Sequence, residues 1–164
     1  MHATGQHHFT SPAGGTSSSA VKDGRSELQA VENCSREFGL LLEHSPLAPA
    51  TAREAARSVL AAWGLDEDQI YSALLVISEL VTNAVTHALP PVVLHLQATD
   101  DGSGRVQIHI SDGGPQAAPS AWAAHRPSDE HGRGAEIVSA LSERAGTGHD
   151  IDGLIDHWAD LNAA

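Results

Sequence analysis

The chain has 164 residues, 41% of them hydrophobic, which is enough for one domain with a proper core and a tail. Its formal charge of −12, nine Lys plus Arg against 21 Asp plus Glu, argues against broad binding to nucleic acid or to an anionic membrane. A single cysteine, Cys34, excludes an internal disulfide, no apolar run approaches the ~18 residues of a bilayer span, and the N-terminus lacks the order of a signal peptide, so a cytoplasmic protein is expected.

Residues 1–22 are rich in Gly, Ser, Thr, Ala and His without hydrophobic period and cannot bury enough surface to offset their ordering entropy. Residues 23–36 place Leu28 and Val31 three apart but are weakly apolar, so 1–36 is expected to be a disordered or weakly ordered tail and 37–164 the domain. EFGLLLE, 37–43, is a short apolar run that reads as a first strand, broken by Ser45-Pro46. From Ala48 to Trp63 the spacing of Ala52, Ala55, Ala56, Val59, Leu60 and Trp63 predicts a helix that Gly64 stops.

A second helix, with Asp66 or Asp68 as its cap, is predicted to run to about Ala88. Within it SALLVISELVTNAVTHA, 72–88, sets Leu74, Leu75, Ile77, Val81, Ala84, Val85 and Ala88 on an apolar stripe. Glu79 and Asn83 are four apart and stack on one face a turn from each other, with Thr82, Thr86 and His87 beside them. A solvated helix face would carry such residues too. A carboxylate next to a carboxamide nevertheless suits phosphate chemistry: Glu79 could orient or deprotonate a nucleophile, and Asn83 could ligate Mg2+ without adding charge beside phosphates.

Pro90-Pro91 ends that helix, VVLHLQA (92–98) and RVQIHIS (105–111) read as a hairpin about the turn DDGSG, and Asp112-Gly113-Gly114-Pro115 follows. Residues 116–131 have no sustained period and read as a lid or binding loop closed by Gly132-Arg133-Gly134. A short helix with Ile137, Val138 and Leu141, then strands over 144–149 and 154–161 about a turn, complete an α+β pattern: a two-layer sandwich with helices on one face of a mainly antiparallel sheet. There is no GxxxxGK[ST] motif, and the eleven histidines match no recognised metal-ligand spacing.

Three short segments then stand together: Glu79 with Asn83, Asp112 with Gly114, and Gly132-x-Gly134 at a helix start. A carboxylate can accept from an amino group while a glycine lets a flat ring approach, and a helix start favours phosphate. In order and spacing SELVTNAVTHA, DGGP and HGRGAEIVSAL resemble the N, G1 and G2 boxes of the GHKL superfamily of ATP-binding domains, and AAWGLDEDQIYSALLVISELVTNAVTHA resembles the small anti-sigma-factor kinases of the RsbW and SpoIIAB type. The resemblance covers about 37–161.

It implies the Bergerat fold, ATP and Mg2+ as ligands, and a protein serine/threonine kinase acting on a small anti-sigma-factor antagonist, with the sigma factor as a further partner. By position Glu79 would be the general base, Asn83 the Mg2+ ligand, Asp112 the reader of the adenine amino group with Gly114 beside the ring, Gly132 and Gly134 lid glycines at the triphosphate, and Arg133 a contact to the terminal phosphate. His87, on the same helix, is grouped with the nucleotide-binding residues as a packing or hydrogen-bonding side chain rather than a phosphorylation site. A homodimer stays open.

The resemblance departs at the end of the chain. Relatives close with a Gly-rich turn and a strand of the sort GGxTVWFEL, whereas this chain has DGLIDHWADL, with Asp156 and His157 near the missing hydroxyl; Ala135 also replaces a bulky apolar residue. An extra carboxylate near phosphates repels them. A non-catalytic nucleotide-binding module acting through protein contacts is therefore the alternative to a kinase, while a sensor histidine kinase is disfavoured by the want of a phospho-accepting hairpin.

Overall fold

The structure, a computed structural model, describes residues 36–99, 103–118 and 133–162. In chain order the elements are β1 (Arg36–Leu42), α1 (Ala48–Ala62), α2 (Glu67–His87), β2 (Val92–Ala98), β3 (Val106–Asp112), α3 (Arg133–Leu141), β4 (Arg144–His149) and β5 (Ile155–Leu161). The strands form one sheet in the order β1-β2-β3-β5-β4, antiparallel at every pairing.

Alternation in β2 and β3 sends Val92, Leu94, Leu96, Val106, Ile108 and Ile110 to one face, where each is buried. There they meet Ala52, Ala56 and Leu60 of α1 and Ile70, Val76, Ile77, Val81 and Val85 of α2, which share one core with them. The opposite phase of the strands carries His95, Gln97, Gln107 and His109, and Leu41 at 70% exposure. This is the expected α+β class, with helices on one face of an antiparallel sheet.

The ends of α2 explain its placement. Asp66 accepts from the Gln69 N–H at 2.8 Å while the Gln69 side chain accepts from the Asp66 N–H at 3.0 Å, a reciprocal capping box worth about 1 kcal/mol. At the other end the chain turns back on itself. The Leu89 N–H donates to Gly114 O (2.8 Å), the Gly113 N–H to Leu89 O (2.7 Å) and the Gln116 N–H to His87 O (3.0 Å), with Ala88 and Pro115 bridged. The last turn of α2 is thereby tied to the end of β3.

Some expectations shift. β1 starts at Arg36, one residue before the expected run, and Asp112 is the last residue of β3 rather than the first beyond it. By length and composition α2 is long and apolar enough to cross a bilayer, against the expectation that no segment comes close, but half of that window is buried in the protein and it packs as the central helix of the core. The tail up to residue 35, Gly132 and most of the expected lid, 119–131, lie outside the described residues.

Candidate functional site

Asp112 closes β3 on the covered face of the sheet, 1% exposed. Its Oδ1 accepts from the Gly114 N–H at 2.8 Å, which bends the chain sharply after the strand. Gly114 takes φ +85°, in the left-handed region open to glycine, and Gly113 is confined because a Cβ there would stand 2.5 Å from Pro90 O. Both glycines follow from the tie between α2 and β3.

The other carboxylate oxygen, Oδ2, is buried without a hydrogen-bond partner among the described residues. His157 Nε2 stands 3.2 Å from it, within reach of attraction but not aligned as a hydrogen bond, and His157 Nδ1 lies 3.2 Å from the Thr147 hydroxyl. An orphaned buried acceptor costs about 1–3 kcal/mol, and a ligand amino group placed there would supply the missing donor.

A cavity of about 200 Å³ lies beside Asp112, walled by Asn83, Ala84, His87 and Ala88 of the α2 end, by Asp112, Gly114 and Pro115, and by Ile155 and His157 of β5. A second cavity of about 420 Å³ lies under α3, with Ala135, Val138 and Ser139 on one side and Thr147 on the other. Asn83 and His157 line both, so the two share a wall. A small apolar cleft with one buried acceptor, next to a larger one along the flank of α3, can hold a flat heterocycle with a polar extension.

Glu79 sits a turn before Asn83 on α2 and lines neither cavity. It faces the start of α3: a Cβ on buried Gly134 would stand 2.6 Å from Glu79 Oε2, so only glycine admits the carboxylate against that helix. A carboxylate is electrostatically favoured at such a terminus. Arg133, the first residue of α3, is exposed. No cluster of three or more His, Cys, Asp or Glu able to hold a metal occurs among the described residues, so a cation here would rely on Asn83 and on its ligand's own oxygens.

The structure thus brings Asn83, His87, Asp112 and Gly114 to one cavity and sets Glu79 against Gly134 one turn away. Sequence reasoning placed His157 only in the neighbourhood of a missing hydroxyl. Its signal was phase: 155, 157, 159 and 161 share the covered face of β5, and a histidine there, paired with Ile110 on one side and Thr147 on the other, breaks an otherwise apolar row.

The chain is similar to solved structures at the level of fold. The RsbU and RsbW domains of Rv1364c from Mycobacterium tuberculosis superpose with a TM-score of 0.58 at 24% identity, over 79% of this chain and 33% of that one, so this chain spans about a third of the length of that solved protein. No curated protein matches it. The histidine kinase-like ATPase domain family matches residues 42–150, most of the described fold and the greater part of the chain. The chain belongs to the histidine kinase-like ATPase domain family.

Proposed function

We propose that the chain binds ATP with its adenine in the cavity walled by Asp112 and Gly114, and uses it as a protein serine/threonine kinase on a small antagonist protein that regulates a sigma factor. The buried, unpartnered Asp112 Oδ2 carries this reading: it is a spare acceptor on a residue that walls a small apolar cleft, as an exocyclic amino group requires. From that cleft the triphosphate would pass Asn83 toward the start of α3, where Gly134 and Arg133 stand. Mg2+ held by Asn83 would offset phosphate charge. Glu79, held against α3, would align a substrate hydroxyl and accept its proton, so catalysis is mainly positioning and electrostatics. The resemblance of residues 61–88 to the small anti-sigma-factor kinases is the ground for naming the antagonist and the sigma factor as partners and the cytoplasm as the site of action.

One observation favours the second reading, a nucleotide-binding module without turnover. Asp156 and His157 stand in β5 where the resembled kinases carry a small hydroxyl residue, and Ala135 lines the larger cavity in place of a bulky side chain. Calorimetric titration with ATP and Mg2+, with Asn83→Ala as the control, tests binding. Transfer of labelled phosphate to a candidate antagonist separates the kinase from the module. Absence of heat with the parent chain removes both readings.

A further inference from the structure

Resting on that reading of the cavity as a base site, we infer that His157 is a specificity-determining residue: its Nε2–H reads the ring nitrogen N1 of adenine while Asp112 reads the amino group beside it.

Asp112 and His157 both line one cavity, and Asp112 Oδ2 and His157 Nε2 stand 3.2 Å apart without being aligned as a hydrogen bond to each other. Each keeps its capacity for a ligand. The proton of a neutral imidazole is placed by its neighbours: the Thr147 hydroxyl, 3.2 Å from Nδ1, can donate to that nitrogen, which leaves the proton on Nε2, beside a carboxylate that attracts it. The wall therefore presents an acceptor and a donor side by side.

The base that matches is one whose edge carries a donor next to an acceptor. Adenine does so with its amino group and N1; a 6-oxopurine presents an oxygen to the carboxylate and an N–H to the imidazole, wrong at both positions. With the Thr147 hydroxyl donating to Nδ1, Nε2 of His157 is a donor to the base. One of the two residues in the region where this chain departs from its relatives is on this account a reader of adenine. The register makes the pair: Asp112 is opposite Ile155 and Ile110 opposite His157, so His157 is the diagonal neighbour of Asp112 on the covered face.

The test is titration of the full chain with ATP and with 1-deaza-ATP, in which N1 is a carbon. The parent should bind the deaza compound roughly three- to tenfold more weakly, the worth of one hydrogen bond. His157→Phe, which keeps a ring but no donor, should bind the two alike, and His157→Gln, which restores a donor, should recover part of the difference. A parent that binds ATP and 1-deaza-ATP equally overturns the assignment without recourse to a variant, as does an undiminished difference in His157→Phe. A parent that binds neither compound overturns the base site itself, a distinct failure.

Discussion

At the residue scale the contact between Gly134 and Glu79 separates stability from chemistry. A Cβ on Gly134 would meet the end of a flexible side chain, which can swing aside, and alanine is the better helix former by about 0.5–1 kcal/mol. Gly134→Ala should therefore leave the melting temperature unchanged or slightly raised. Displacing the carboxylate should nonetheless lower phosphoryl transfer about 10- to 100-fold, since misplacement by an ångström costs that order. Glu79→Ala should abolish transfer and leave ATP affinity largely intact, and Gly134→Ala added to it should do no further harm. Paired melting curves and transfer assays check this; equal activity of Glu79→Ala and parent would take Glu79 out of the base role. At Asp112 the expected change is in binding. Asp112→Asn can keep the acceptor toward the Gly114 N–H but loses the charge at Oδ2, so ATP affinity should fall by about tenfold, with less loss for ITP. An unchanged ratio of the two affinities would refute the adenine assignment.

At the scale of elements the tie between α2 and β3 assembles the cavity, because it carries Gly114 to within backbone hydrogen-bond reach of Leu89. Gly113→Ala should cost about 1–3 kcal/mol, as a Cβ there meets the Leu89 and Pro90 carbonyls, which belong to the backbone and cannot swing away. Chemical denaturation measures the loss, and nucleotide affinity should decline with it. The β4–β5 turn makes a pH-dependent contribution. Partial desolvation works against the charged form of Asp150, but hydrogen bonds from the Ser111 hydroxyl and from the N–H groups of Leu154, Asp152 and Gly153 outweigh it and hold its carboxyl below the ordinary 3.8. A lowered value in the folded state means stability fully present above 3.8 and lost as pH falls through the folded value. Amide exchange in β4 and β5 should accelerate below about pH 4 relative to β2 and β3, and Asp150→Asn should remove that difference.

These elements also mark what the sequence could disclose. The periods of α1, α2, β2 and β3 are local and survive folding unchanged, so these elements to within a residue or two, a cap at Asp66 or Asp68 and the α+β class were legible. The order of three motifs singled out Glu79, Asn83, Asp112 and Gly134, and the structure sets Asn83 and Asp112 on one cavity and Glu79 against Gly134. The sheet order was not, because the β3–β5 pairing joins residues from Asp112 and Ile155 to Val106 and Leu161, about 50 positions apart, and no local period encodes it. For the same reason the approach of His157 to Asp112 could not be seen. It depends on a register that only the assembled sheet fixes, and the polar residues at 156 and 157 blurred the alternation of β5 that would have pointed to it.

Over the whole molecule, ligand binding and folding are one equilibrium, because the cavity exists only when α2, β3 and β5 are in place. ATP with Mg2+ at a hundredfold excess over its dissociation constant should stabilise the fold by about 2.7 kcal/mol. For a chain of this size that corresponds to a rise of roughly 5–10 °C in melting temperature. The formal charge of −12 makes the metal decisive in this rise: a triphosphate brought to an acidic protein is repelled unless its charge is offset. Chelation of Mg2+ should therefore remove most of the ATP-induced shift. Asn83→Ala should make the shift insensitive to the metal while adenosine, which carries no phosphate, stabilises parent and variant alike. Thermal melts of both proteins with ATP, ATP plus chelator and adenosine give the full comparison. A shift in the variant as metal-dependent as in the parent would place the cation on some other group, and a parent that adenosine does not stabilise would deny the cleft beside Asp112 its base.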